Sequence, residues 1–138
     1  MTKLVDVATW RRMMESDVTI YIVDDDEAVR ESLQAWLESE GYRVRALPSG
    51  DAYLDSYAND AKGVLLLDLN MPGRDGHEVM GALVARKARI PVIVITAIDD
   101  DATRQRALRS GAKAVLTKPI EHDALMAALA SCGAAPAA

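Results

Sequence analysis

The sequence predicts an α/β fold, a doubly wound five-stranded parallel sheet in the order 2-1-3-4-5 with five helices. Three observations predict it. Five short apolar runs rich in β-branched residues alternate strictly with five stretches that carry apolar residues at helical spacing. The runs are nearly continuous, as in strands buried on both faces of a parallel sheet with helical crossovers. A chain of 138 residues, 50% of them apolar, suits one domain with a single core.

Val18 to Val23 forms the first strand and ends in the acidic run Asp24-Asp25-Asp26-Glu27. Val29, Leu33, Trp36 and Leu37 then repeat at helical spacing, and Gly41 ends that helix. Tyr42 to Leu47 is a partly alternating second strand, broken by Pro48-Ser49-Gly50, with a short helix around Ala52 to Ala58. Gly63 to Leu67 is a wholly apolar third strand that ends at Asp68. Beyond the turn-rich stretch from Asn70 to Gly76, a helix runs to roughly Ala88, with Val79, Met80, Leu83 and Val84 as its buried stripe. Pro91 to Thr96 is the fourth strand; Asp99 or Asp100 caps the next helix, which Gly111 stops after Ser110. Ala114 to Thr117 is the fifth strand, Lys118-Pro119 ends it, and Leu125, Met126 and Leu129 mark the last helix. Right-handed crossovers between such units give the flavodoxin-like strand order. Residues 18–131 therefore read as one domain and residues 132–138 as a tail or linker. Residues 1–17 are an N-terminal extension in which Val7, Trp10 and Met14 fit one face of a short helix, although Met13 or Met14 could equally be the true start.

Composition narrows the function classes. No apolar run approaches the roughly 20 residues of a membrane span, and the N-terminus lacks the apolar core of a secretion signal, so a cytoplasmic protein is expected. A net charge of −5 argues against nucleic acid as a direct partner, because phosphate backbones select basic surfaces. The single cysteine, Cys132, has no partner for an internal disulfide and falls in the expected tail.

Ligands of open parallel sheets bind beyond the carboxyl ends of the strands, where the strand order reverses. Asp24 and Asp25 end the first strand, Asp68 the third, Thr96 the fourth and Lys118 the fifth. Two carboxylates ~4 Å apart repel by about 4 kcal/mol at an effective dielectric near 20, so three together demand a cation. An all-oxygen site with few protein ligands suits Mg²⁺, which keeps several waters and accepts phosphate oxygens. A carboxylate can act as nucleophile toward phosphorus, and phosphoryl transfer needs mainly positioning and charge neutralisation. Asp24-Asp25-Asp26 also satisfies the Asp-x-Asp nucleophile pattern of haloacid-dehalogenase-type phosphatases. That reading needs a further acidic pair after the lysine, where only Glu121 and Asp123 stand, and it leaves Asp68 and its loop without a role.

Four segments carry a closer likeness. IVDDDEAVR, LLLDLNMPGRDG, VIVITA and GAKAVLTKP resemble the acidic pair, phospho-acceptor loop, threonine strand and lysine-proline segment of bacterial two-component receiver domains. The stretch DDDEAVRESL most resembles receivers of the nitrogen-fixation regulator type. The resemblance implies that Asp68 is phosphorylated, that Asp25 binds Mg²⁺ directly and Asp24 through a water, and that Asn70 supplies its backbone carbonyl. It also implies that Thr96 and Lys118 contact the phosphoryl group and that Pro119 follows a cis peptide. Asp26 and Glu27 are left as first-turn acids favoured by the helix dipole. The implied donor is a separate histidine kinase or phosphotransfer protein, since His77 and His122 are expected on the surface. One departure stands out. Where receivers commonly carry Tyr or Phe three residues before the lysine, this chain has Val115, and it contains no Phe. The output is therefore expected to run through the loop from Ala97 to Asp101 and the helix after it. With the last strand and last helix, these would form a face for dimerisation or partner docking. Ile98, two residues past Thr96, is expected to hinder the hydrolytic water.

Overall fold

The third and fourth runs carry no polar side chain before their last residue, so each can pair on both edges and be covered on both faces. In a computed structural model, which describes residues 18–58 and 62–134, they do so. The elements are β1 (Thr19–Val23), α1 (Glu27–Ser39), β2 (Arg43–Leu47), α2 (Gly50–Ser56), β3 (Gly63–Asp68), α3 (Gly76–Ala85), β4 (Val92–Thr96), α4 (Asp101–Arg109), β5 (Ala114–Thr117) and α5 (His122–Ser131). All five strands are parallel, in the order β2-β1-β3-β4-β5. The short helix expected around Val7, Trp10 and Met14 lies outside the described residues.

Side-chain alternation splits the core into two layers. Leu65, Leu67, Val92 and Val94 point to the layer under α2, α3 and α4, together with Val79, Met80, Leu83 and Ala107. Val64, Leu66, Ile93 and Ile95 point to the other, under α1 and α5, with Leu33, Leu37, Leu125 and Leu129. The register then sets the functional edge. Val23 lies opposite both Leu47 and Leu67, Asp68 opposite Ile95, and Thr96 opposite Thr117, so the polar strand ends emerge at one level.

Three local expectations change, and a fourth narrows to one of its two alternatives. Asp26 is the N-cap of α1, its carboxylate accepting from the Ala28 and Val29 amides, so it closes the helix instead of sitting in the first turn. The cap of α4 is Asp100, through the Thr103 amide. Val84 is 67% exposed, because α3 lays only a narrow stripe on the sheet, and α3 ends at Ala85 before Lys87 turns left-handed at φ 55°. Cys132 caps α5 and packs with buried Ala134 on the core, so the packed chain continues into the expected tail.

Candidate functional site

Asp24 leaves β1 beside Asp68 on β3 because Val23 and Leu67 are register partners. Asp24, Asp68 and Thr96 are the buried polar residues of the described chain, at 1%, 3% and 1% exposure, while Asp25 faces solvent. One carboxylate oxygen from each of Asp24, Asp25 and Asp68 lies within 4.8 Å of the other two. The acidic loop is held by its own backbone: Asp24 Oδ1 accepts the Asp26 amide at 2.9 Å. Arg30, one turn into α1, donates from Nη1 to the Asp24 carbonyl at 2.7 Å. Asp68 Oδ1 accepts the Asn70 amide at 3.1 Å, which turns the β3–α3 loop around the carboxylate. That loop closes tightly. A Cβ on Gly76 would stand 2.7 Å from the Asp68 carbonyl oxygen and 2.8 Å from Leu69 Cα, so only glycine lets α3 begin there.

Lys118 enters from β5. Its amide donates to the Thr96 carbonyl at 2.8 Å, and the following Lys118–Pro119 peptide is cis. Its Nζ lies 2.9 Å from Asp24 Oδ2 and 3.6 Å from Asp68 Oδ2. Burial works against its charge, but the hydrogen bond to Asp24 and the charge of Asp68 outweigh burial and raise its pKa. Burial likewise pushes the Asp68 carboxyl up to about 6. The Asn70 amide and Lys118 act to lower it, and the charges of Asp24 and Asp25 add to the rise. One ammonium thus faces three carboxylates, a donor set of hard oxygens with excess negative charge. It fits a small dication such as Mg²⁺.

Thr96 follows Ile95, the register partner of Asp68, and its Oγ1 accepts the Ile98 amide at 3.1 Å. Ile98 is 46% exposed and shares a cleft at the rim with Asn70, His77 and Arg106. The structure therefore gathers Asp24, Asp25, Asp68, Thr96 and Lys118 at one edge, with Asn70 and Ile98 on its rim. Val115 lies apart from them, buried on β5. His77 departs from its expected surface position: it is half-buried, and its Nδ1 is buried without a hydrogen-bond partner among the described residues. Arg30 and Gly76 carry no mark in the sequence that separates them from any helix-start arginine or loop glycine. Their roles depend on contacts made only after folding.

The profile of the family described as response regulator receiver domain matches residues 20–130. The transcriptional regulatory protein FixJ of Azorhizobium caulinodans is 39% identical over 116 residues, 84% of this chain and 55% of that protein. Response regulator MprA of Mycobacterium tuberculosis is 41% identical over 110 residues, 80% of this chain and 48% of that protein. The chain spans about half the length of these curated relatives. Among solved structures, the crystal structure of FixJ-N superposes with a TM-score of 0.77 at 38% identity, covering 84% of this chain and 93% of that one. The low-resolution structure of response regulator StyR gives 0.79 at 36% identity, covering 84% and 59%.

Proposed function

Because the chain belongs to the response regulator receiver domain family, we propose that it is a phosphorylation-dependent switch that accepts a phosphoryl group on Asp68. The observation that carries this reading is the placement of Asp68. It is one of the two buried carboxylates of an acidic cluster and stands at the end of β3, the middle strand of the sheet, with an ammonium 3.6 Å away. Asp25, Asp68 and the Asn70 carbonyl would hold Mg²⁺ directly, and Asp24 less directly. When bound, the dication offsets the charge of carboxylates and phosphoryl oxygens, which is most of what phosphoryl transfer requires.

The remaining work falls to the protein's own groups. An Asp68 carboxylate oxygen forms the bond to phosphorus as the bond from phosphorus to the donor's nitrogen breaks, so Asp68 must be ionised. With its pKa near 6, it is mostly so at neutral pH. Lys118, already between Asp24 and Asp68, can exchange its Asp24 contact for a phosphoryl oxygen. The Thr96 oxygen accepts from Ile98, which leaves the hydroxyl hydrogen free to donate to the phosphoryl group. Ile98, apolar at the rim, hinders water on its way to the acyl phosphate, which favours a long-lived signal.

The donor is then a histidine kinase or phosphotransfer protein. The only chemistry of the domain is its own phosphorylation and dephosphorylation, in the cytoplasm; among the described residues, no helix is long and apolar enough to cross a membrane. We take residues 18–131 as the switching unit, with residues 1–17 and 132–138 as extension and tail. Output runs through the face made by α4, β5 and α5, by docking a partner or a second copy, with no direct contact to nucleic acid. Acetyl phosphate with Mg²⁺ should add one phosphoryl group, visible by intact mass, and Asp68→Asn should abolish it. Labelling of that variant at the wild-type rate would overturn the assignment. Turnover of para-nitrophenyl phosphate would favour a phosphatase instead.

A further inference from the structure

The hydrogen bond that holds Thr96 is the first link of a chain leading away from the site. Thr96 Oγ1 accepts the Ile98 amide at 3.1 Å, so the hydroxyl and the β4–α4 loop are tied together. The same loop carries Asp99, and it ends in Asp100, which caps α4 through the Thr103 amide at 2.7 Å. Asp99 lies 3.8 Å from Arg104 Nη2. From the other arm of the guanidinium, Nη1 donates to the Val115 carbonyl on β5 at 3.2 Å. β5 pairs only with β4, so it is an edge strand, and Arg104 ties it to α4. Little else fastens this helix: Ala107 is its one buried residue, and Leu108 is 40% exposed.

We propose that Arg104 is a positioning residue for the phosphoryl group: it latches α4 and the β4–α4 loop to β5, and so sets how readily Thr96 can turn to a phosphorylated Asp68. This rests on Asp68 being the acceptor. The Thr96 hydroxyl can keep the Ile98 amide while it donates to a phosphoryl oxygen, so any movement of the hydroxyl toward that oxygen carries the loop with it or leaves the amide unpaired. Moving the loop displaces Asp99 and the cap of α4, and with them the guanidinium on Val115. The acceptor is a backbone carbonyl of β5, a strand paired with β4, so no side-chain rotation lets it follow. The Arg104 side chain is 40% exposed, so its guanidinium can leave the carbonyl for water at small cost. The device is thus weak enough to open and specific enough to matter.

Coupling of this kind is reciprocal. If a phosphoryl group loosens the latch, cutting the latch must favour the phosphoryl group by the same factor. Beryllofluoride with Mg²⁺ serves as the phosphoryl mimic, titrated into the full chain and followed by amide NMR. Arg104→Met keeps the alkyl stem and removes the guanidinium. It should bind the mimic about 5-fold more tightly than wild type. Before any addition, its resonances at residues 97–110 should already be displaced toward the bound positions. Asp99→Asn, which cuts the other end, should act in the same direction by about 2-fold and keeps the test decisive if Arg104→Met does not fold. A merely structural role would weaken binding. Unchanged or weaker affinity in the variants, with wild type binding normally, overturns the latch while leaving Asp68 as acceptor. Failure of wild type itself to bind would overturn the acceptor assignment and the latch with it.

Discussion

Asp25 and Asp26 are adjacent acids that the fold uses for unrelated purposes. Asp26 spends its carboxylate on the Ala28 and Val29 amides, whereas Asp25 is exposed at the rim of the acidic cluster. Asp25→Ala should therefore lower Mg²⁺ affinity at least ~10-fold, about 1.4 kcal/mol, and Asp24→Ala should do so less. Asp26→Ala should leave the metal titration unchanged and lower stability by about 1 kcal/mol, as loss of an N-cap does. Mg²⁺ titrations and urea melts of the three variants separate these outcomes; equal metal loss in Asp26→Ala and Asp25→Ala would reverse the assignment. The run of four acids reads in sequence as one feature, because nothing local distinguishes a carboxylate that turns back onto its helix from one that faces the site. Asp68, Thr96 and Lys118 were legible for the opposite reason. Asp68 and Thr96 close apolar strands and Lys118 directly follows one that ends in Thr117, and parallel pairing brings such residues to one edge.

Among the elements, α1 and α5 are joined by a contact that apolar periodicity does not reveal. The His122 ring lies 5.0 Å from Trp36, centroid to centroid, with Nε2 3.2 Å from Glu40 Oε1 and Nδ1 3.3 Å from Asp123 Oδ1. The hydrogen bond to Glu40, then that to Asp123, raises the His122 pKa above its usual 6.5. His77 moves the other way, lowered first by burial and then by the nearby charge of Arg106. For His122 the folded state holds the proton more tightly than the unfolded chain. Its contribution to stability is full below pH 6.5 and is lost as pH rises through the folded pKa. For His77 the sign reverses: protonation favours the unfolded chain, and its penalty grows as pH falls below 6.5. A single NMR titration should place the two midpoints on opposite sides of 6.5, and Glu40→Gln should bring that of His122 down. Midpoints in the reverse order would refute both environments. The strands themselves were readable because burial on two faces demands continuous apolar residues. Val84 was misplaced in the expected stripe because sequence alone does not say how wide a face a short helix presents to the sheet.

At the scale of the whole molecule, the sheet concentrates its polar cost at one edge. β3 and β4 are apolar until their last residues, and the carboxylates at the ends of β1 and β3 converge within 4.8 Å. Because burial raises the folded pKa of Asp68 to about 6, its ionisation opposes folding. The penalty is absent below the ordinary carboxylate value and complete above about pH 6. Asp68→Asn removes that charge with little change of shape. Without Mg²⁺ at neutral pH it should stabilise the domain by about 1–3 kcal/mol, a range that allows for screening by Lys118 and solvent. Mg²⁺ should then stabilise wild type more than the variant. Denaturant melts with and without the ion check both statements, and a variant less stable than wild type in the absence of Mg²⁺ would contradict them. Strand order was legible from handedness and connection rules, which leave few arrangements for strictly alternating elements.

The contact between Lys118 and Asp24 joins residues 94 positions apart in the chain. Its two ends come from the first and the last strands of the sheet, so a ribosome releases the carboxylate long before the lysine. A nascent chain, or one cleaved ahead of β5, would carry Asp24 and Asp68 without the ammonium that faces them. Contacts of such long range form only after the loops between them have closed. On the proposed assignment of Asp68, competence to receive a phosphoryl group would therefore be acquired late in folding, after the finished sheet has brought the lysine to the aspartates.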